Sequence, residues 1–244
     1  MAKIAIDAGH YYNEPGRRCL KKYDPNETRE WTMNARVAEY LAEYLQSAGH
    51  TTYRLDDTTG KTLITIDQRA KKANQLGVDY YISIHHNGGV NGGAGGGTVV
   101  FIYPGTSGKT VQAQKAIYKH AIARGNLKGN RSNGMPTADF LVLRETNMPA
   151  ALIECGFMDS STDIPFIIKP EWSKKIALGI AEGICEVFGG TVKETTATTE
   201  KTPEKASGKL YRVQLGAFSN KANAEAYLKK VQAAGFKDAY IKEA

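Results

Sequence analysis

Residues 65–85, TIDQRAKKANQLGVDYYISIH, carry two secondary-structure signals back to back. Thr65 and Gln68 stand at capping-box spacing, which predicts a helix opening there and running through Leu76. Tyr80–His85 is a short apolar run and predicts a strand. The same alternation repeats on both sides. Lys3–Asp7 (KIAID) places Ile4 and Ile6 on one face of a strand. Glu30–Ala48 sets Met33, Val37, Leu41, Leu45 and Ala48 three and four apart, the pattern of an amphipathic helix stopped by Gly49. Downstream, Val99–Tyr103, Phe140–Leu143 and Ala150–Glu154 read as strands, Lys109–Ala123 as a helix. Glu171–Phe188 reads as a second long helix, with Trp172, Ile176, Ile180, Ile184 and Phe188 four apart. Strands alternating with helices predict an α/β layered domain, a central, mostly parallel sheet flanked by helices.

The alternation stops at 191–208, TVKETTATTEKTPEKASG, which holds six Thr and only one large aliphatic residue. Such a segment buries too little apolar surface to offset its ordering entropy, so it reads as a linker. It separates a body, residues 1–190, from a tail, residues 209–244. The tail reads strand (Tyr211–Leu215), helix (Ala222–Ala234), strand (Asp238–Ile241): one small β-α-β unit. A unit this short is below the ~40 residues that usually fold alone. Pairing with a second copy, packing on the body and remaining loose are all open.

Composition narrows the class. The 244 residues are 41% hydrophobic and 23% charged, ordinary for a globular protein. No apolar run approaches the ~18 residues of a membrane span. The start, MAKIAID, meets a carboxylate before an apolar core can form, so synthesis in the cytoplasm without a signal peptide is expected. Cys19, Cys155 and Cys185 are too few and too scattered for a disulfide framework. The net charge is +7, of which +4 falls after residue 190. Basic residues are interleaved with acids, and no nucleic-acid motif appears, so nucleic acid is not the expected partner.

No HExxH, P-loop or GxSxG motif is present. The run Gly88–Gly97, GGVNGGAGGG, lacks the Lys-Ser/Thr of a phosphate loop and reads as a flexible connection. Chemistry-bearing residues instead sit where open α/β sheets bind ligands, at the carboxyl ends of strands. His10 follows KIAID, His85 closes YYISI, and Glu154 closes AALI, where a buried carboxylate is costly without a partner. Glu30 opens the first long helix. Two imidazoles and a carboxylate can hold a catalytic zinc, with a further carboxylate as general acid–base. Each residue has an ordinary reading: a turn for His10, a core histidine for His85, a first-turn carboxylate for Glu30. Glu27 competes with Glu30. His86 competes with His85, although strand alternation points it to the opposite face. His50 and His120 read as surface residues.

Taken together, IAIDAGH (4–10), Glu30 with Asn34 four residues on, DQRAKKANQLGVDYYISIHHN (67–87) and FLVLRETNMPAALIECGFMDSSTD (140–163) resemble the zinc-dependent N-acetylmuramoyl-L-alanine amidase family, in order and spacing over about residues 3–188. The resemblance implies zinc held by His10, Glu30 and His85, Glu154 as the catalytic carboxylate, and cleavage of the amide joining N-acetylmuramic acid to L-alanine in peptidoglycan. Burial at a strand end should raise the Glu154 pKa. Tyr11-Tyr12 stands where the family often has Gly-Gly, and Cys155 where an apolar residue is usual. The tail resembles the opening half of the sporulation-related repeat, which implies binding to peptidoglycan, particularly glycan strands stripped of peptide, with dimerisation through the tail one way to complete the domain. A zinc peptidase or deacetylase and a non-catalytic wall-binding protein are the alternatives. A wall substrate and no export signal together imply a prophage endolysin or a mother-cell autolysin that acts after release.

Overall fold

The computed structural model describes residues 1–129, 134–193, 218, 220–233 and 239–242. The chain forms two compact units, residues 1–197 and 198–244. In the first, β1 (Lys3–Ala8), β2 (Thr51–Arg54), β3 (Tyr80–Asn87), β4 (Val99–Phe101) and β5 (Ala150–Phe157) make one sheet in the order β2-β1-β3-β5-β4. All neighbours are parallel except β4, which runs antiparallel on β5. The connections contain α1 (Glu30–Ser47), α2 (Ile66–Leu76), α3 (Lys109–Gly125), α4 (Leu141–Arg144), α5 (Ile164–Ile167) and α6 (Pro170–Phe188).

Period-two alternation splits each strand between two cores. Ile4 and Ile6 of β1, Tyr80, Ile82 and Ile84 of β3, and Ala151 and Ile153 of β5 face a large core shared with α1, α3 and α6. Ala5, Tyr81 and Leu152 face a smaller one with Ala73 of α2 and Val142 and Leu143 of α4. The strands are thus covered on both sides, which is why they read as continuous apolar runs. β3 and β5 pair from Tyr81–Ala150 to His85–Glu154 and then slip before Asn87–Phe157. The irregularity falls at the carboxyl ends, where the polar residues gather.

The Thr65 capping box forms in both directions. Gln68 N donates to Thr65 Oγ1 (3.3 Å) and Thr65 N to Gln68 Oε1 (2.9 Å). Phe140–Leu143 is not a strand: it ends in the single helical turn α4, held by Thr146 Oγ1 on the Val142 carbonyl (2.9 Å). Just before it Thr137 bridges Ile102 beyond β4, and the chain then turns into α4, whose Val142 and Leu143 pack in the smaller core. The edge strand β2 and the one-turn helix α5 are elements the pattern reading does not anticipate. His50 is buried instead of lying at the surface. Its Nδ1 accepts from Ala2 N (3.2 Å), and its Nε2 lies 2.8 Å from the Gly189 carbonyl. His120 lies on α3 between Glu182 and Glu186 of α6, at 3.5 and 2.7 Å.

In the second unit α7 (Lys221–Ala233) forms where a helix is expected, with Asn220 Oδ1 accepting from Ala222 N (2.8 Å). The expected strand Tyr211–Leu215 lies outside the described residues, and the described residues 239–242 form no strand. Among the described residues no helix is long and apolar enough to cross a membrane.

α3 and α6 approach closely at glycines. A Cβ on Gly183 would lie 2.5 Å from Ile117 Cα, and one on Gly179 2.5 Å from the His120 carbonyl oxygen. Backbone on the far side cannot rotate away, so overpacking of about 1–3 kcal/mol outweighs the ~1 kcal/mol helix-propensity gain of alanine. Gly183→Ala should lower the melting temperature by roughly 2–6 °C for a domain of this size. An unchanged melting temperature would mean that the two helices are not packed this closely.

Candidate metal centre

The carboxyl ends of β1, β3 and β5 bring the polar residues together. His10 follows β1, His85 lies near the end of β3, and Glu154 sits opposite His85 in register on β5. Glu30, the first residue of α1, completes the group. Its Oε2 is 3.3 Å from His10 Nε2 and its Oε1 is 3.2 Å from His85 Nδ1. The imidazoles meet edge to face, centroids 4.9 Å apart. One donor atom from each of His10, Glu30 and His85 lies within 4.8 Å of the others, and among the described residues no other such group exists. Glu27 is elsewhere, 4.0 Å from Arg18.

The histidine backbone is held in an unusual shape. His10 has φ 67°, a left-handed conformation that costs a non-glycine residue energy. Arg69, buried on α2, fixes it: Nη2 donates to the His10 carbonyl (2.8 Å), Nη1 to the Ala8 carbonyl (2.7 Å), and Nε to the Ile64 carbonyl (2.8 Å). Nη1 also pairs with buried Asp7, whose other oxygen accepts from Tyr81 Oη (2.8 Å) and Ser83 Oγ (3.0 Å). Between them, Gly9 is obligatory, because a Cβ there would lie 2.1 Å from the His85 ring. Glu14, four residues past His10, places Oε2 3.0 Å from His10 Nδ1. A carboxylate on the second ring nitrogen is the common way to orient a metal-binding imidazole.

Asn34, one turn into α1, ties the elements together. It donates to the Gly9 carbonyl (3.1 Å) and to Glu30 Oε1 (3.4 Å), and its Oδ1 meets His86 Nδ1 at 2.7 Å. His86 points to the large-core side, as strand alternation requires, and its backbone N–H donates to Glu30 Oε1 (3.2 Å). Burial drives the His86 imidazole down to about 3, so it stays neutral.

Electrostatics separate the two carboxylates. Burial works against ionised Glu30, but the close contacts and charge of the His10 and His85 imidazoles outweigh it and hold the carboxyl well below its usual range. Glu154 goes the other way. Burial, opposed by His85, reinforced by Glu30 and opposed again by Arg17, pushes it up to about 7. Burial also lowers His85, yet its hydrogen bond to Glu30 and the charge of Glu154 leave its pKa raised. Glu30 Oε2 and Glu154 Oε2 are both shielded from solvent without a hydrogen-bond partner in the protein. Two imidazoles around an ionised carboxylate with an unused oxygen are a donor set that fits a divalent transition metal.

The glycine run 88–97 is pinned rather than flexible. Asp159 Oδ2 accepts from Gly89, Val90 and Asn91 N–H (2.9, 2.9 and 2.7 Å), and Asp163 Oδ2 from Gly97 N (2.7 Å) and Phe157 N (2.9 Å). Cys155 is fully buried with its thiol pKa pushed well up by burial, and packs in the large core as a small apolar side chain.

Three residues that could hold a metal ion, with a high-pKa carboxylate beside them at the carboxyl ends of a mostly parallel sheet, are a donor set that suits metal-assisted hydrolysis. The family model described as N-acetylmuramoyl-L-alanine amidase matches residues 4–186, and the chain belongs to that family. It is a hydrolase of peptidoglycan. A second model, the SPOR domain, matches residues 207–244. The chain is similar to the sporulation-specific N-acetylmuramoyl-L-alanine amidase of Bacillus subtilis (strain 168), 32% identical over 97% of this chain and 83% of that one. It is also similar to an endolysin of Bacillus phage SPP1, 29% identical over 87% of this chain and 76% of that one. The crystal structure of an N-acetylmuramoyl-L-alanine amidase from Clostridium difficile 630 superposes with TM-score 0.68 at 26% identity, covering 77% of this chain and 96% of that one.

Glu14 generates a prediction. Glu14→Ala should weaken divalent-metal binding ~10–100-fold, as loss of an orienting carboxylate commonly does. Competition with a metal chelator measures it. An unchanged affinity would remove Glu14 from this role.

Proposed function

We propose that His10, Glu30 and His85 hold a zinc ion and that Glu154 is the general base and acid of amide hydrolysis. The observation that carries this reading is the pairing of opposite carboxylate environments: Glu30 held ionised between two imidazoles, Glu154 raised to about 7 beside His85. Pushing two carboxylates apart in pKa is how one site assigns a permanent anion and a proton carrier.

The bond cleaved joins the lactyl carbonyl of N-acetylmuramic acid to the nitrogen of L-alanine. Bound there, zinc would lower the pKa of its water to about 7 and polarise the scissile carbonyl. Glu154 accepts the proton lost by the attacking water and passes it to the alanine nitrogen as the C–N bond breaks. The products are a free lactyl carboxylate and a peptide with a new N-terminal alanine, so atoms and protons balance. Glu14 and Arg69 keep His10 in place throughout, and Asn34 keeps Glu30 against the rings. The catalytic body, residues 1–190, joins through 191–208 to a tail that tethers it to wall glycan, with peptide-free strands as its preferred target. The enzyme meets the wall after release, a setting that both a sporulation amidase and a phage endolysin provide.

The test is digestion of purified peptidoglycan with analysis of the groups exposed. New N-terminal alanine without new reducing sugar ends, abolished by a chelator and restored by zinc, is expected. New reducing ends without alanine would overturn the reading. Glu154→Gln should lose ~10²–10⁴-fold in rate, the range of one general acid–base group. Because Glu154 must be ionised to accept a proton, kcat/KM should rise with pH through a midpoint at or below about 7, the charge of a bound metal moving it down. A rising limb that persists unchanged in Glu154→Gln would assign it to another group.

A further inference from the structure

The two segments that carry His10 and Glu30 also carry a pair of aromatic residues that the hydrolytic chemistry does not use. Tyr12 is 46% exposed and meets the Trp31 indole edge to face, centroids 6.1 Å apart. The Arg29 guanidinium lies 5.3 Å from the centroid of the Tyr12 ring, and its Nη1 reaches the Glu14 carbonyl (3.5 Å). Tyr12 comes two residues after His10, and Trp31 one after Glu30. Two residues of chain span at most about 7 Å, so the Tyr12 and Trp31 backbones lie within that distance of His10 and Glu30.

The pair is built in advance. Tyr12 N donates to the Gly60 carbonyl (3.0 Å), and Gly60, at φ 68°, lies so close that a Cβ would sit 2.6 Å from the indole. Asp57 shapes that loop by accepting from Thr59 N (3.0 Å) and Thr62 N (2.8 Å). Arg18 and Arg29 bridge across the base of the segment. The exposed Tyr12 ring is thus fixed from two other segments, 29–31 and 57–62, and is available to stack against an apolar face.

The substrate says what covers it. The scissile carbonyl is separated from the muramic acid ring by one carbon and one ether oxygen. A sugar ring therefore has to lie next to the metal centre whenever the amide does. The C–H face of a pyranose is apolar and flat enough to stack on an aromatic ring, while its hydroxyl and acetamido groups suit a neighbouring guanidinium. We infer that Tyr12, buttressed by Trp31 and Arg29, is the subsite for a pyranose ring of the glycan strand. This rests on the amidase reading.

Two substrates share the scissile bond: a muramoyl-peptide carrying the sugar and a lactoyl-peptide lacking it. In Tyr12→Ala the preference for the first, as a ratio of kcat/KM values, should fall about 10-fold, the equivalent of one ring face left uncovered. The loss should appear in KM, and Tyr12→Phe should retain the preference. An unmoved ratio, or equal loss on both substrates, overturns the proposal. A second measurement stands without turnover. Trp31 and Trp172 are the only tryptophans, and Trp172 is buried. Peptide-free glycan oligomers should shift the emission of the Glu154→Gln protein saturably, with about 10-fold weaker half-saturation when Tyr12→Ala is added. Oligomers that leave the emission unchanged overturn the subsite. If the wild type cuts neither peptide, the amidase reading fails, and the emission shift still decides the subsite.

Discussion

Glu30 brings a negative charge to a place where water scarcely reaches, and the site is arranged around keeping it there. A buried carboxylate costs several kcal/mol unless its oxygens are met. In this fold they are met by His10, His85, the His86 backbone N–H, the Asn34 amide and the first turn of α1, whose dipole favours an anion. The partners come from the segment after β1, from β3 and from α1 itself, so satisfying Glu30 holds these three elements in one geometry. Oε2 faces His10 Nε2 at 3.3 Å without a hydrogen bond, which leaves it available to a cation.

The second charge pair, Asp7–Arg69, serves the first. Its direct effect is on the backbone: three carbonyls of the segments 8–10 and 64 receive the guanidinium, and His10 is kept at positive φ. Tyr81 and Ser83 hold the far oxygen of Asp7 from the neighbouring strand. The strain at His10 is therefore opposed by a network that spans β1, β3 and α2, and the imidazole presents its Nε2 to Glu30 because Glu14 occupies the other nitrogen. Tyr12 and Trp31, which follow His10 and Glu30 in the same two segments, meet edge to face.

Much of this is legible in sequence because burial leaves a pattern. Strands β1, β3 and β5 are covered on both faces, so they appear as apolar runs, and a histidine or carboxylate that ends such a run stands out. Glu154 is conspicuous for that reason, and its raised pKa follows from the same burial. What is not legible depends on partners distant in sequence. The run Phe140–Leu143 is apolar enough for a strand, but Val142 and Leu143 bury themselves in the smaller core as a helical turn instead. His50 looks exposed after a helix end, yet Ala2 and Gly189 enclose it. Arg69 and Glu14 look like ordinary charged residues until the carbonyl of His10 and its Nδ1 are located. The glycine run 88–97 looks free because the aspartates that pin it, Asp159 and Asp163, lie far along the chain.

Metal content decides the central claim most directly. Native mass spectrometry of the protein purified with zinc should find one ion per chain in the wild type and in Glu154→Gln, and none in His10→Ala, Glu30→Ala or His85→Ala. An ion that persists in all three ligand variants, or one lost from Glu154→Gln alone, would contradict the assignment of His10, Glu30 and His85 as ligands and Glu154 as proton carrier.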